Sequence, residues 1–283
     1  MLTPIATGVL VVTAMMTFMA FARPGLKERL LFDPFQILRG RQYERMLTSG
    51  LIHADVMHFL FNMYSFCSFA GIIEAIYGWK ALLLVYIGSV LGGSVLSLLI
   101  HRHHEYRALG ASGGVCGLIF ASVFLLPGNS VRLFMVPVPL PAYVFAIGFL
   151  VYSFVSHRRG RDNIGHDAHL GGAISGLLVA MVLRPELVFS QPLMLAIVIG
   201  LAVLILLAMI YDPGRVLEHH LKLTDTRKGD KRTLEYDDNA RRNKEKEEVD
   251  RLLDKVAKKG ANGLSKAEQR RLKELSRKIY GAS

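Results

Sequence analysis

Residues 168–176 read Ala-His-Leu-Gly-Gly-Ala-Ile-Ser-Gly, a run that places a histidine and several glycines on one predicted membrane helix. Gly172 and Gly176 follow His169 by three and seven residues, so all three lie on roughly the same helix face. Ionisable side chains inside a membrane span are costly, and those present usually have a function or a specific partner. Because a glycine face lets a second helix approach closely, the run predicts a tight helix contact beside a buried imidazole.

A second glycine-rich run, Gly110-Ala111-Ser112-Gly113-Gly114, opens another apolar segment and supplies a partner for that face. A serine hydroxyl is a poor nucleophile until a neighbouring base takes its proton. At a helix N-terminus, backbone N–H groups and the positive end of the dipole lie near any developing oxyanion. Packing of the two glycine faces would bring Ser112 within reach of His169, as acyl transfer requires. Taken alone, each run also fits a small-residue packing surface or a structurally satisfied histidine.

His58 and Asn62 form a third polar group, four residues apart and therefore on one face of a further predicted span. A tetrahedral intermediate needs fixed hydrogen-bond donors, each typically worth about 10²–10³ in rate. This pair is a candidate for that role. The alternative for the pair alone is an interhelical hydrogen bond that only stabilises the bundle.

The composition predicts a membrane protein, since 52% of the 283 residues are apolar. A bilayer core requires about 20 apolar residues as a helix. Seven segments meet or approach that length, at residues 4–22, 56–76, 80–100, 110–126, 141–157, 167–183 and 192–211. The fourth and sixth are short and carry glycine and polar residues, which lipid contact alone would not favour.

The charge density rises sharply after Tyr211. Residues 1–211 contain 14 Lys or Arg and 9 Asp or Glu, whereas residues 212–283 contain 20 and 14. We therefore predict a soluble tail, with a charged linker followed by a helical hairpin whose second helix opens at a Ser265–Glu268 capping box. The opposite charges alternate, so nucleic acid is not an expected partner; anionic lipid or an unidentified protein are the weaker options.

The three motifs together resemble those of the rhomboid intramembrane proteases. The family's H-x-x-x-N is matched by residues 58–62, its G-x-S-G by residues 110–113, and its A-H-x-x-G-x-x-x-G by residues 168–176. Order and rough separation also fit, and the resemblance covers about residues 40–185. Glu74 falls where the family often has a glutamate at the end of the second span.

The resemblance implies a serine protease with a dyad that lacks a carboxylate and needs no metal or cofactor. Ser112 would be the nucleophile and His169 the general base, while His58, Asn62 and the Ser112 backbone would hold the oxyanion. Its substrates would be transmembrane proteins whose helices enter from the lipid, unwind locally and are cut. The supporting residues it implies are Gly110, Gly113, Gly172, Gly176 and Arg45.

Two positions depart from the family pattern. The first loop often carries Trp-Arg in the family, whereas this chain has Glu44-Arg45. The family often has an aromatic residue four positions after the nucleophile, where it stacks on the histidine, but here that position is Cys116. The packing around the imidazole is therefore expected to differ.

The predicted fold is an all-α polytopic membrane helix bundle: a rhomboid-like six-helix core, one C-terminal transmembrane helix and a soluble helical hairpin. The predicted division of the chain is 1–190, 191–211, 212–243 and 244–283. We expect a multi-pass protein of a bacterial cytoplasmic membrane, surrounded by lipid. The family orientation puts the N-terminus in the cytoplasm, although six Lys or Arg in the first loop favour the opposite by the positive-inside rule; local pairing of these arginines would reconcile the two.

Three other functions fit parts of the pattern. A non-catalytic relative that binds membrane clients usually lacks the serine or the histidine, and both are present here. A transporter with a polar midline is a further alternative. The histidines at positions 53, 58, 101, 103, 104, 166 and 169 also permit a di-iron enzyme with histidine boxes, but such a site needs about eight ligands on one face and leaves the Gly-Ser run unexplained.

Overall fold

The computed structural model describes residues 3–103, 105–128, 130–131, 139–159, 165–210, 248–249, 251–256 and 264–280. Helices make up most of the described chain, which confirms the predicted helical membrane bundle. They are α1 (Pro4–Ala22), α2 (Pro24–Leu30), α3 (Pro34–Leu38), α4 (Arg45–Thr48), α5 (Val56–His101), α6 (Ser112–Leu125), α7 (Ala142–Arg159), α8 (His166–Leu183), α9 (Glu186–Ser190), α10 (Pro192–Ile210) and α11 (Lys266–Tyr280). A short 3₁₀ turn, Ser49–Leu51, follows α4, and β1 (Ser130–Val131) pairs antiparallel with β2 (Leu140–Pro141).

Among the described residues, α1, α5 and α8 are long and apolar enough to cross a membrane. The helix α5 has 46 residues and bends at Gly78, whose φ of 84° and ψ of 167° are not helical. Glycine adopts this conformation without a Cβ clash, so the bend falls between the two spans predicted at 56–76 and 80–100. The apolar stretches at 112–125, 142–155 and 192–208 are shorter.

Side-chain carboxylates bind the backbone N–H groups at the starts of three helices. Asp33 and Asp55 cap α3 and α5, where their carboxylates accept backbone N–H groups, the latter from His58 at 2.8 Å. At the start of α1, Glu74 from α5 accepts the N–H groups of Ile5 at 3.1 Å and Ala6 at 2.8 Å. A carboxylate at this end also complements the helix dipole, so the first span is tied to the end of the second.

The centre of the bundle is the contact between α6, α8 and the second half of α5. A Cβ built on Gly172 would lie 2.0 Å from the carbonyl oxygen of Gly113, and one on Gly176 would lie 2.4 Å from the Cα of Gly117. Nothing larger than hydrogen fits at these positions, so the backbones of α6 and α8 touch directly. Gly114, which the sequence placed in the same contact, instead faces Tyr86 on α5.

The helix α6 is buried along nearly its whole length and is shielded from lipid by its neighbours. Its 14 residues span only about 21 Å, less than the ~30 Å of a bilayer core. One end of α6 must therefore lie within the depth of the membrane. Residues 113–125 are all buried, whereas Ser112 at the start is partly accessible.

The tail forms a separate compact unit, residues 211–283. In its described part, Glu268 accepts the N–H of Ser265 at 2.9 Å and donates its own N–H to the Ser265 hydroxyl at 3.2 Å, so the predicted capping box is present. Val249, Leu252 and Leu275 are buried, and Lys255 pairs with Glu268 at 2.7 Å. Residues 248–249 and 251–256 are helical, and the predicted linker 212–243 lies outside the described residues.

The glycine contact gives a direct test of the bundle. Gly176→Ala should destabilise the protein by about 1–3 kcal/mol, because the new methyl group must push α6 and α8 apart. The measurement is the thermal unfolding midpoint in detergent. Gly200→Ala in α10 is the matched control, since no atom lies within 4 Å of a Cβ at that position. Equal midpoints for the two variants would contradict the direct backbone contact.

Candidate active site

Ser112 is the first residue of α6, directly after the N-cap residue Ala111. The N–H groups of the first helical turn have no acceptor inside the helix and point towards the space beside Ser112. Together with the positive end of the helix dipole, they provide a site for negative charge next to the hydroxyl. The serine is half-buried, so a reacting group is able to reach it.

Gly110 shapes the approach to Ser112. Its φ is +132°, a conformation that residues with a Cβ rarely adopt. A Cβ at this position would lie 2.8 Å from Cε1 of His58 and 3.8 Å from Oγ of Ser112. The missing side chain therefore leaves room for the His58 ring beside the serine hydroxyl, as expected if His58 faces the nucleophile.

His58 and Asn62 lie in the first two turns of α5. The amide of Asn62 donates one hydrogen to the carbonyl oxygen of His58 at 2.9 Å, which holds the two residues on one face and leaves its second N–H available. The Nδ1 atom of His58 accepts the N–H of Ala54 at 3.5 Å. That bond favours the tautomer with hydrogen on Nε2, the atom nearer to Gly110.

His169 lies in the first turn of α8, and its N–H donates to the carbonyl oxygen of Gly165 at 3.1 Å. The contact between Gly172 and Gly113 lies one turn further along, so the start of α8 is held against the start of α6. The ring of Phe149 on α7 packs 5.9 Å from the His169 ring at an angle of 37°. An aromatic neighbour is therefore present, but α7 supplies it, because position 116 holds a buried cysteine.

Ser112, His169, His58 and Asn62 all line one cavity of about 520 Å³. Gly110 and Gly113 line it as well, whereas Gly172 and Gly176 lie in the helix contact behind it. Much of the remaining wall consists of small side chains: Ser49, Gly50, Ala54, Gly93, Ser94, Ser97, Ala108, Gly114, Gly165 and Ala168. A serine, two histidines and an asparagine from three helices therefore share one concave space.

Arg45 lies outside this cavity and connects parts of the first loop. Its side chain is buried and donates to the carbonyl oxygens of Glu28 at 2.7 Å and Leu31 at 2.9 Å, and to the Gln42 amide oxygen at 2.6 Å. Arg107 pairs with Glu28 at 3.0 Å. Arg45 thus bonds neutral oxygens of the first loop, whereas Arg107, in the loop before α6, pairs with a first-loop carboxylate. Glu44 precedes α4 and makes no side-chain cap.

His53 also contacts the segment that carries Ser112, although the sequence indicated it only as a possible metal ligand. Its Nε2 accepts the N–H of Ala111 at 3.3 Å, and its Nδ1 lies 3.0 Å from the Thr17 hydroxyl, which in turn bonds the carbonyl oxygen of Leu51 at 3.2 Å. His53 therefore connects α1 to the residue before Ser112. Burial, reinforced by the neighbouring His58 imidazole, lowers the pKa of His53 to about 3, so the ring is neutral at pH 7.

Among the described residues, no three His, Cys, Asp or Glu side chains are grouped as metal ligands. His53 uses both ring nitrogens in the bonds described above, and His104 lies outside the described residues. Within the described residues, the histidines are therefore not grouped as the di-iron alternative requires.

Comparison with protein-family models finds a Rhomboid domain at residues 40–186. A second match, at residues 232–278, is to a family of unknown function, DUF6576. These two regions correspond to the membrane unit and the tail, respectively.

Among the curated proteins that are similar to part of this chain are three with rhomboid names. RHOMBOID-like protein 12, mitochondrial, of Arabidopsis thaliana is 32% identical over 45% of this chain and 43% of its own length. Rhomboid protease GluP of Bacillus subtilis is 29% identical over 50% of this chain and 26% of its own length. Putative rhomboid protease YdcA of Bacillus subtilis is 29% identical over 50% of this chain and 67% of its own length. The chain thus spans less than half of the first two relatives.

His53 predicts a pH dependence of stability. Its unfolded pKa is about 6.5, so as the pH falls from there towards 3 the unfolded chain gains a proton that the folded chain excludes, and stability is lost. We expect the thermal midpoint to fall less steeply over this range in His53→Gln than in the wild type. At pH 7 the variant should lose about 1–3 kcal/mol, because the Ala111 N–H loses its acceptor.

The matched control is His103→Gln, at an exposed position next to α5. It should keep the wild-type slope. If His53→Gln also keeps that slope, the neutral, buried state assigned to His53 is wrong.

Proposed function

Because the chain belongs to the rhomboid family, we propose that it is an intramembrane serine endopeptidase that cleaves transmembrane segments through a Ser112–His169 dyad. The observation that carries the proposal is the cavity, which Ser112, His169, His58 and Asn62 line together. These four side chains come from three helices, and each helix was proposed from a separate motif. Two relatives are named as rhomboid protease or putative rhomboid protease, which supports peptide-bond hydrolysis.

In the proposed reaction, His169 removes the hydroxyl proton of Ser112 as the serine oxygen attacks the scissile carbonyl carbon. The negative charge on the carbonyl oxygen is stabilised by the first N–H groups of α6 and by donors from His58 and Asn62. His169 then gives its proton to the leaving amine. A water molecule, deprotonated by the same imidazole, hydrolyses the acyl-enzyme and regenerates Ser112.

The position of the site limits the substrate. A peptide bond in a transmembrane helix is hydrogen-bonded and shielded by its side chains, so the segment must unwind before Ser112 reaches it. The many small residues of the cavity wall leave room for an extended backbone. We therefore propose transmembrane helices that unwind easily as the substrate class.

The chain is a multi-pass membrane protein, and we propose a bacterial cytoplasmic membrane as its location. The Bacillus relatives support this, although others are named mitochondrial proteins.

We also propose four parts: a protease core (1–190), an additional span (191–211), a linker (212–243) and a hairpin tail (244–283). The compact unit that ends at Ile210 and the two family matches support this division.

The dyad is tested with a fluorophosphonate probe on the purified full-length protein. The probe should label Ser112 in the wild type and not in Ser112→Ala, and labelling should fall by about 10³-fold or more in His169→Ala. Cleavage of a fluorescent transmembrane reporter peptide should fall in parallel. Labelling is measured by intact mass and peptide mapping.

Ser122→Ala is the matched control, because the hydroxyl of this buried serine donates to the Leu118 carbonyl oxygen of its own helix, at 2.7 Å. It should be labelled at the wild-type rate. A wild type that neither reacts with the probe nor cleaves the peptide would favour the non-catalytic, client-binding alternative.

The topology is tested by a phosphatase reporter that is active only outside the cytoplasm, fused after Ser283. We propose a cytoplasmic N-terminus, and seven spans then place the tail on the opposite side, so the fusion should be active. The family resemblance is the basis of this orientation, whereas the six Lys or Arg of the first loop favour the opposite one. An inactive fusion, together with an active cytoplasmic reporter at the same position, would contradict it.

A further inference from the structure

A buried polar cluster connects the loop before Ser112 to the helix that carries His169. Its members are His101 at the end of α5, Tyr106 in the loop and Asp167 in the first turn of α8. Nε2 of His101 lies 3.2 Å from Oδ2 of Asp167, and the two side chains are only 8% and 3% exposed. The dyad chemistry uses none of these groups.

Tyr106 contacts both other members. Its ring is stacked on the His101 ring, with centroids 3.6 Å apart and an angle of 2° between the planes. Its hydroxyl donates to Oδ1 of Asp167 at 3.4 Å. Burial, followed by the nearby Asp167 carboxylate, raises the pKa of the Tyr106 phenol, so the hydroxyl keeps the proton that it donates.

The cluster occupies a special place along the chain. Tyr106 precedes Gly110 by four residues and Ser112 by six, while Asp167 precedes His169 by two. The loop is also fixed on its other side, because Phe32 and Ala108 exchange backbone hydrogen bonds at 2.8 and 3.2 Å. A Cβ on Gly165, the N-cap residue of α8, would lie 3.0 Å from the Tyr106 hydroxyl, so the tyrosine packs against the start of that helix.

We propose that His101, Tyr106 and Asp167 are positioning residues that hold the Ser112 segment and the His169 helix at the distance needed for proton transfer. This inference rests on the proposed protease function. Glycine contacts already hold the first turn of α8, since a Cβ on Gly113 or Gly93 would lie 3.3 or 2.6 Å from the Ala168 carbonyl oxygen, but the loop before Ser112 lies outside these helix contacts. Asp167 lies in that turn and bonds Tyr106, so the position of the turn is linked to that of the loop that carries Ser112.

Removing the Tyr106 hydroxyl is the mildest test. Tyr106→Phe keeps the stack on His101 but loses the bond to Asp167, and we expect kcat and the fluorophosphonate labelling rate of Ser112 to fall about tenfold. KM for the reporter peptide should stay within about twofold, because the cluster does not line the cavity and acts on alignment of the dyad. Asp167→Asn should lower the same two rates further, by up to about 100-fold.

Combining Tyr106→Phe with Asp167→Asn shows whether the hydroxyl and the carboxylate act together or independently. If the hydroxyl acts through the carboxylate, Tyr106→Phe should add little to the loss in Asp167→Asn. Tyr77→Phe is the matched control: it removes a tyrosine hydroxyl that bonds the Leu125 carbonyl oxygen at 2.6 Å, at the far end of α6. It should be labelled at the wild-type rate even if its thermal midpoint falls.

Wild-type labelling rates in Tyr106→Phe and Asp167→Asn would overturn the positioning role, as would fully multiplicative losses in the double variant. If Asp167→Asn does not fold, the labelling rate of Tyr106→Phe compared with that of Tyr77→Phe tests the positioning role. A loss that appears equally in Tyr77→Phe would mean that only stability has changed. A wild type without any labelling at Ser112 would refute the protease function and this inference together, whereas a labelled wild type with unaffected Tyr106→Phe refutes the inference alone.

Discussion

The bundle depends on direct backbone contact between α6 and α8. At Gly113 with Gly172, and at Gly117 with Gly176, there is no space for even a methyl group. Inside a membrane the hydrophobic effect does little to bring helices together, so close packing of small residues has to supply much of the attraction. The contact runs along α8 from Ala168, next to His169, and it therefore sets how near the imidazole comes to the start of α6. Polar side chains are tolerated inside a membrane bundle when they face a cavity rather than lipid, and those of the site line such a cavity.

A short helix creates the conditions for the chemistry. Because α6 is too short to span the bilayer, one of its ends lies below the membrane surface, and the cavity at its N-terminus is lined by the polar side chains. The loops around this cavity are fixed from several directions. His53 bonds the backbone before Ser112, Arg45 connects the segments of the first loop, and Tyr106 contacts the start of α8. A nucleophile on a loop would otherwise lose the alignment that proton transfer requires.

Much of this arrangement could be predicted from periodicity and from glycine. The spacing of Gly172 and Gly176 indicated the packed face of α8, and the break between the second and third spans falls at Gly78. What could not be predicted depends on distant pairs. His53 is 36 residues from Thr17 and 58 from Ala111, so no local pattern shows their contact. No local pattern indicated that Phe149 packs beside His169, where the family often has an aromatic residue at the position of Cys116. The contact of Asp167 with His101 was likewise not predictable.

The central claim is that glycine packing of α6 against α8 brings one hydroxyl and one imidazole into a proton-sharing pair above a helix N-terminus. An experimental structure of the fluorophosphonate-treated protein tests it most directly. We expect a phosphorus atom bonded to Oγ of Ser112, an imidazole nitrogen of His169 within about 3 Å of that oxygen, and the phosphoryl oxygen bound by the first N–H groups of α6. An adduct on another residue, or a His169 ring turned away with no path to Ser112, would contradict it.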